Sequence, residues 1–265
     1  MAAPTATSAG ASLPEDVRRR LPGRVPSELI RTVDVPRHPE SMGAELLALP
    51  DISSAVADAL DKSSRGAVLT STEMSPLTVG QRIVGPAVTL HYAPLDGDVS
   101  ANRDRGAGLQ LGDRDLYGVA RPGDVAVVGA GALSDLAVVG GLSAAWARKA
   151  GVAGVVTDGG ARDGDSITAT GLPVWSHGRT PHAVRYRAET VAINGPVALG
   201  NAVVRPGDYL VADGDGVCVV PHDLFPQIVR QCVLAQEAEN RLLETIAAAQ
   251  DLENLVAATE TDAPD

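Results

Sequence analysis

One short stretch of the sequence combines a cation, carboxylates and glycines in a pattern that could bind and activate a small anion. The stretch GVVTDGGARDGDS runs from Gly154 to Ser166 and places Arg162 directly beside Asp163, after an apolar run. A guanidinium presents a planar fork of donors to an anionic ligand, and an aspartate supplies a hard oxygen ligand to Mg²⁺ or Mn²⁺. The pair therefore predicts a site for a small oxo acid chelated to a divalent metal.

The segment before this pair predicts a second anion-binding element. DVAVVGA indicates a strand, LSAAWARKAG a helix that stops at Gly151, and GVAGVVTD the next strand. Such a crossover brings Gly140 and Gly141, at the start of the helix, near the turn that follows the next parallel strand. The glycines allow close approach to the backbone, and the free N–H groups of Leu142 and Ser143 could receive a carboxylate.

The rest of the chain predicts a single α/β body that positions these residues. A helix is expected over Ser53–Asp61 and a long helix after Pro221, and the motif RPGD occurs twice, each time before a strand. The other strands are expected in the runs GAVLT, RIVGPAVTLHY, LPVWS, TVAI, DYLVAD and GVCVV. Residues 1–13, and the acidic tail after about Leu255, have the composition of disordered segments.

Composition excludes several classes of partner. The net charge of −11, from 22 Lys and Arg against 33 Asp and Glu, repels a phosphate backbone, so no nucleic-acid partner is expected. No apolar run approaches the ~20 residues of a membrane span, and the N-terminus does not resemble a signal peptide, so we expect a cytoplasmic protein without a membrane partner. Cys218 and Cys232 lie in apolar surroundings and are expected to be core residues.

Less specific interpretations of the same residues exist. Neighbouring Arg and Asp residues are common on surface loops, where they have no function. The run GAGALS suggests a dinucleotide fingerprint, but Ser134 stands where its last glycine should be, and no GK[ST] phosphate loop occurs. His177 and His182 lie in a loop that could border the crevice, yet they lack a zinc-like set of partners, so a surface or capping role is expected.

The segment VGGLSAAWARKAGVAGVVTDGGARD closely resembles the core of the RraA-like family, which includes the class II 4-hydroxy-4-methyl-2-oxoglutarate / 4-carboxy-4-hydroxy-2-oxoadipate aldolases. The likeness extends upstream through SSAVADAL and TVGQRIVGPAVTL, and downstream through GLPVWSHGRTP and VRPGDYLVADGDGVCVVP. It covers roughly Ile52 to Glu239. It implies an α/β fold, an αββα sandwich resembling the swivelling phosphohistidine domain, over residues 41–250, after an N-terminal extension (1–40) and before an acidic tail (251–265).

The resemblance also implies roles for individual residues. Asp163 would hold Mg²⁺ or Mn²⁺, Arg162 would bind the pyruvyl oxygen, and the amides near Leu142 and Ser143, beside Gly140, would receive the pyruvate carboxylate. The aldolases place an aspartate that orders water twenty-one positions before the arginine, and here that position, 162 − 21 = 141, is Gly141. The chain thus departs from the family pattern at this step.

The implied activity is cleavage of a C–C bond in a small 2-oxo acid through a pyruvate enolate, by retro-aldol reaction, by decarboxylation of oxaloacetate, or by both. The implied assembly is a homotrimer or homohexamer with sites between subunits. The family recruits a glutamate from a neighbouring subunit, for which Glu237 and Glu239 are candidates, although a role as solvated helix charges is favoured slightly. Two alternatives stay open: a non-catalytic, protein-binding regulator of a ribonuclease, and a specialised pathway enzyme with the same metal site.

Overall fold

The computed structural model describes residues 13–260. The α-helices are α1 Glu15–Arg18, α2 Glu40–Leu47, α3 Ile52–Asp61, α4 Val99–Asp104, α5 Asp113–Val119, α6 Gly141–Ala150, α7 Gly164–Thr170, α8 Phe225–Ala248 and α9 Leu252–Glu260. The strands are β1 Ala67–Thr70, β2 Ser75–Pro76, β3 Ile83–Pro94, β4 Val125–Gly129, β5 Ala137–Val139, β6 Gly154–Ala161, β7 Val174–Arg179, β8 Ala188–Ile193, β9 Val197–Leu199, β10 Ala202–Val204, β11 Tyr209–Ala212 and β12 Gly216–Val220.

Ten of these strands form one sheet that folds back on itself. Its order is β1-β12-β11-β3-β4-β6-β7-β2, with β5 paired to β6 and β8 paired to β3. The half from β1 to β3 is antiparallel, whereas β3, β4, β6 and β7 run parallel to one another. The long strand β3 belongs to both halves, and β9 and β10 form a separate hairpin.

Alternating side chains divide the interior into three layers. Leu210 of β11 and Val127 of β4 belong to a middle core between the two halves of the sheet. Their neighbours Val211 and Val128 point the other way, into two outer cores under the helices, as the two-residue period of a strand requires. The order helix, sheet, sheet, helix confirms the predicted αββα sandwich.

The outer helices bury one face each. Ile52, Val56 and Leu60 of α3 pack with Phe225 and Val229 of α8 over the antiparallel half. Their spacing of four residues puts them on one side of each helix. The helices α5, α6 and α7 cover the parallel half, and this arrangement leaves the first turn of α6 at the end of the parallel strands.

Both RPGD motifs form the predicted turn. The φ angles of Gly123 and Gly207 are +88° and +93°, in the region that favours glycine. In each motif the aspartate side chain accepts a hydrogen bond from the backbone N–H of the arginine, at 2.7 Å from Asp124 and 2.8 Å from Asp208. The recurring sequence therefore encodes a recurring entry turn for β4 and for β11.

The N-terminal extension is ordered from Leu13, and the C-terminal end of the chain shows more structure than its composition suggests. From Leu13 onward the N-terminal extension packs on the outer core of the parallel half, and Arg37 forms a bidentate ion pair with the buried Asp124. The prediction of disorder after about Leu255 is wrong for the described part of the tail, because α9 continues to Glu260. Asp251 begins α9 by accepting the N–H of Asn254 at 2.8 Å, as an N-cap does.

Both segments of predicted disorder extend beyond the described residues, to 1–12 and 261–265. Within residues 13–260, no helix is both long enough and apolar enough to cross a bilayer. Cys218 and Cys232 are buried and unpaired, as predicted for core residues.

Candidate active site

The structure brings the Arg162–Asp163 pair to the first turn of α6. Strand β5 pairs parallel with β6, and the Arg162 N–H donates to the Val139 carbonyl at 3.1 Å, so the two strands end side by side. Asp163 Oδ2 accepts the N–H of Gly141 at 3.2 Å and lies 3.5 Å from Arg162 Nε. The strand–helix–strand unit is thus as predicted, with β5 as an additional short strand before the helix.

Asp163 has an unusual backbone conformation. Its φ of +57° and ψ of +44° are left-handed, at the N-cap of α7, a region that aspartate tolerates better than most residues. The side chains of Arg162 and Asp163 are 45% and 46% exposed. A half-exposed aspartate and arginine at the ends of two parallel strands can both reach a ligand in the crevice.

Gly140 permits this close approach. A Cβ atom at this position would lie 2.9 Å from Asp163 Oδ2 and 3.3 Å from Arg162 Nε, so a side chain would displace the pair. Gly140 is also the N-cap of α6 and offers no side chain to cap it. The amides of Leu142 and Ser143 follow in the first turn, where a helix leaves N–H groups without an internal partner, and Leu142 is 73% exposed.

Gly141 occupies the position at which the resemblance implies an aspartate. A Cβ atom built on it would come within 2.7 Å of the Ser166 Cβ. An aspartate at this position would require α7 to shift, and the chain instead uses the Gly141 N–H to fix Asp163. Any carboxylate that takes the place of the missing one has to come from another element.

A cavity of about 390 Å³ opens beside the pair, within the size range of small-molecule sites. Its polar and charged wall consists of Arg24, Asp113, Arg114, Ser143, Arg162, Asp163 and Arg185. Gly140 and Leu142 contribute to the wall as predicted, together with several aliphatic residues. A second opening of about 340 Å³ lies on the other side of the pair and includes Arg179.

Asp113 supplies the other carboxylate of the cavity, and no motif in the sequence indicates it. Burial raises the pKa of this carboxyl above its usual range, and a hydrogen bond from the Ser143 hydroxyl partly opposes that rise. The Ser143 hydroxyl lies 2.9 Å from the Tyr117 hydroxyl, whose pKa is raised by burial and by the nearby Asp113 charge. The result is a chain of three polar side chains that ends on a carboxylate facing the cavity.

Three further arginines were also missed. Arg24 comes from the N-terminal extension, Arg114 from the start of α5 and Arg185 from the segment before β8. The Arg114 guanidinium lies 5.1 Å from the centre of the Trp146 ring. These residues are distant in sequence from Arg162 and carry no motif, so only the fold reveals that they share a cavity.

The available ligands suit a particular kind of metal. Within residues 13–260, no three His, Cys, Asp or Glu side chains are grouped so as to hold an ion, which disfavours a closed zinc site. Asp163 has one carboxylate oxygen engaged with Gly141 and Arg162, and the other makes no hydrogen bond to the described residues. A single carboxylate fits Mg²⁺ or Mn²⁺, which keep waters and substrate oxygens as their remaining ligands.

Other titratable residues of the sequence do not line this cavity. Asp158 accepts the N–H groups of Ala130 and Gly131, at 2.6 and 3.2 Å, and so holds the loop after β4. His177 and His182 are exposed. Glu237 and Glu239 are exposed on α8, so within one subunit they agree with the favoured interpretation as solvated charges.

Comparison with known proteins identifies relatives of the region that carries the site. The family model named RraA-like, described as Aldolase/RraA, matches residues 53–219, more than half of the chain. A protein of Halalkalibacterium halodurans, provisionally named 4-hydroxy-4-methyl-2-oxoglutarate aldolase, is 33% identical over 169 residues, which span 64% of this chain and 72% of that protein. Protein DlpA of Legionella pneumophila is 27% identical over 201 residues, 76% of this chain but only 31% of DlpA.

Two solved structures share the fold. A protein from Pseudomonas syringae pv. tomato, described as uncharacterized, has a TM-score of 0.67 at 26% identity and covers 83% of this chain and 98% of its own. RraAS2 of Streptomyces coelicolor is described as an unusual member of the RNase ES inhibitor RraA protein family. It has a TM-score of 0.66 at 27% identity, and the match covers 78% of this chain and 98% of RraAS2. Relatives thus include proteins named as aldolases and one described within an inhibitor family.

Proposed function

Because this chain belongs to the RraA-like family, we propose that it is a divalent-metal-dependent lyase that cleaves a C–C bond of a small 2-oxo acid through a pyruvate enolate. The reaction is a retro-aldol cleavage of a 4-hydroxy-2-oxo acid, a decarboxylation of oxaloacetate, or both. The observation that supports it is the convergence of Arg162, Asp163 and the first turn of α6 on one cavity. A protein that only binds another protein has no need of this pair.

Each end of a bound pyruvyl unit has a partner in this arrangement. Asp163 would hold the Mg²⁺ or Mn²⁺ ion, which when bound supplies Lewis-acid polarisation of the 2-oxo group. The N–H groups of Leu142 and Ser143 receive the carboxylate at the positive end of the α6 dipole. Arg162 donates to the oxygen on which negative charge develops as the C–C bond breaks, and so stabilises the transition state more than the substrate.

Asp113 takes the part of the carboxylate that is absent at position 141. In the retro-aldol direction Asp113 accepts the proton of the 4-hydroxyl, and the electron pair left on that oxygen forms the C4 carbonyl of the departing fragment. The C3–C4 bond breaks, and the electron pair of that bond forms the pyruvate enolate. A carboxyl with a raised pKa is a better base near neutral pH than an ordinary one. Ser143 orients it, since the Tyr117 hydroxyl can donate to Ser143 while Ser143 donates to Asp113. Decarboxylation of oxaloacetate needs no such base.

The test is pyruvate release from oxaloacetate with Mg²⁺ or Mn²⁺, measured above the metal-only background, for the full chain and for Asp163→Ala. Turnover that disappears in the variant and on chelation is the expected result. No rate above background from the folded wild-type protein, with oxaloacetate and with 4-hydroxy-2-oxo acids, contradicts the proposal. That result would favour the alternatives of a protein-binding regulator, as in the inhibitor family to which RraAS2 belongs, or of a specialised enzyme.

A homotrimer or homohexamer is part of the proposal. The second half of α8 supports it, because Leu234, Leu242, Leu243 and Ile246 expose about half of their surface there, and apolar faces of this kind favour association. Sedimentation equilibrium of the full chain would measure the number of subunits, and a monomer at micromolar concentration would contradict it.

A further inference from the structure

The N-terminal extension reaches the cavity through Arg24. On either side of this residue, the N–H groups of Gly23 and Val25 donate to the two carboxylate oxygens of Asp115, at 2.9 and 3.0 Å. Asp115 is only 1% exposed, so the two hydrogen bonds tie the extension to the start of α5. They fix the point at which the Arg24 side chain leaves the backbone for the cavity wall.

The Arg24 guanidinium has unused hydrogen-bonding capacity. Among the residues that the structure describes, the side chains of Arg24 and Arg185 have no hydrogen-bond or ion-pair partner, although the protein carries 33 acidic residues against 22 basic ones. Five donors without a partner, facing a cavity, are suited to an oxyanion. In the proposed function, Asp163 and the N-terminus of α6 already bind the 2-oxo acid end of a substrate. The Arg24 guanidinium is therefore available for the other end.

We propose that Arg24 determines specificity by binding a second carboxylate, at the end of the substrate remote from the 2-oxo acid. The 2-oxo diacids already proposed as substrates, such as oxaloacetate, carry a carboxylate of this kind, and the new element is that the N-terminal extension is part of the binding site. This inference rests on the proposed function for the placement of the 2-oxo acid end. It goes beyond it because Arg24 lies outside residues 53–219, the part that matches the family model.

The wall around Arg24 is consistent with this role. Arg114 and Arg185 line the same cavity, so positive charge continues from Arg24 toward the start of α5. Arg114 is held in place by stacking on Trp146. A substrate with a terminal methyl group in place of the carboxylate would leave these guanidinium groups facing an apolar atom, and it would have to displace their water without replacing the hydrogen bonds.

The test compares two ligands that the enzyme does not cleave by these reactions, 2-oxoglutarate and 2-oxopentanoate. They have the same number of carbons and the same 2-oxo acid end, and they differ in a terminal carboxylate against a terminal methyl. Isothermal titration of the full chain with MgCl₂ should show that 2-oxoglutarate binds about ten- to a hundredfold more tightly, the range of one charge-assisted hydrogen-bonded pair. In Arg24→Gln that preference should fall to within about threefold, with 2-oxopentanoate unchanged.

Two further variants control for charge and for folding. Arg24→Lys keeps the charge and loses the planar fork, so an intermediate preference is expected. Arg19→Gln makes the same change in charge on an exposed residue of the same extension that does not line the cavity, and it should behave as the wild type. Thermal unfolding of each variant within a few degrees of the wild type establishes that the extension still folds.

Three results of the titration would contradict the inference. Equal affinity of the wild type for the two acids, binding of neither, or a full preference retained in Arg24→Gln would overturn the inference. The titration does not depend on turnover. A preference that needs Arg24, together with no pyruvate release from any substrate, would therefore refute the proposed lyase and leave the role of Arg24 standing.

Discussion

Replacing Gly140 by alanine should separate the geometry of the site from the stability of the fold. The added Cβ would lie 2.9 Å from Asp163 Oδ2, whereas ordinary contacts begin at 3.4 Å, so the carboxylate has to move by about 0.5 Å, the difference between the two. Arg162 has to yield as well, since its Cγ and Nε are 3.3 Å from the same point. The backbone itself is not strained by the change, because φ is −149°.

The expected effect on activity is much larger than that on stability. A displacement of about 1 Å in a catalytic group can cost about a hundredfold in rate, so about 0.5 Å corresponds to about ten- to a hundredfold in kcat/KM. Alanine is a poorer N-cap than glycine, which should cost at most about 1 kcal/mol in the free energy of unfolding of the α6 start. That loss lowers Tm by about 2–4 °C in a protein of this size.

The assay is metal-dependent pyruvate release from oxaloacetate, measured beside thermal unfolding. Gly214→Ala is the matched control, because a Cβ there meets nothing within 4 Å, and it should lose neither activity nor stability. If Gly140→Ala keeps full activity at the wild-type Tm, the positions of Arg162 and Asp163 are not what the reaction requires, and the assignment of the site would be refuted.

Three other predictions concern two carboxylates of the cavity, Asp163 and Asp113, and the buried Asp115 that anchors the N-terminal extension. Asp163→Asn, which tolerates the left-handed backbone, should weaken Mg²⁺ binding about tenfold or more in a titration of the metal alone; unchanged affinity would place the metal elsewhere. Burial raises the pKa of Asp113, so between its pKa in the unfolded chain and its pKa in the folded protein only the folded protein holds the proton. The free energy of unfolding should therefore fall as pH rises through the interval between these two pKa values. In urea unfolding from pH 4 to 7, Asp113→Asn should lack this fall, and parallel curves for the variant and the wild type would contradict the raised pKa of Asp113. Asp115→Asn removes the charge that receives the N–H groups of Gly23 and Val25, so it should cost about 1.5–3 kcal/mol and expose the extension to limited proteolysis, whereas wild-type resistance would show that the anchor is dispensable.

The local features of the site could be predicted because they depend on short-range sequence signals. Gly151 ends α6 with a φ of +81°, and the apolar runs on either side of the helix form the parallel strands β4 and β6. A strand–helix–strand crossover has one preferred handedness, so the proximity of Gly140 to Asp163 follows from the order of the elements. The αββα arrangement was implied by the resemblance, and alternating burial in strands such as β11 bears it out.

The rest of the cavity depends on contacts between distant parts of the chain. Asp113 precedes Ser143 by thirty positions, and Arg24 is far from both in the sequence, so no periodicity links them. The strand β5 has only three residues, too few for a two-residue alternation to be recognised. The helix α9 was missed because its acidic composition outweighed the N-cap at Asp251.

The division of the site between two parts of the chain has a consequence for substrate choice. Asp163, Arg162 and the start of α6 lie inside the matched region 53–219, and in the proposed function they bind the 2-oxo acid end, which all substrates of this chemistry share. Arg24 lies outside that region, lines the cavity, and in our proposal binds the end at which substrates differ. Relatives that keep the first part and change the extension could therefore retain enolate chemistry while accepting another substrate. By the same reasoning, exchanging residues 13–40 of this chain for those of a relative should alter the preference between mono- and dicarboxylic acids more than it alters the rate with oxaloacetate at saturation, and an equal loss of both would assign the extension to folding alone.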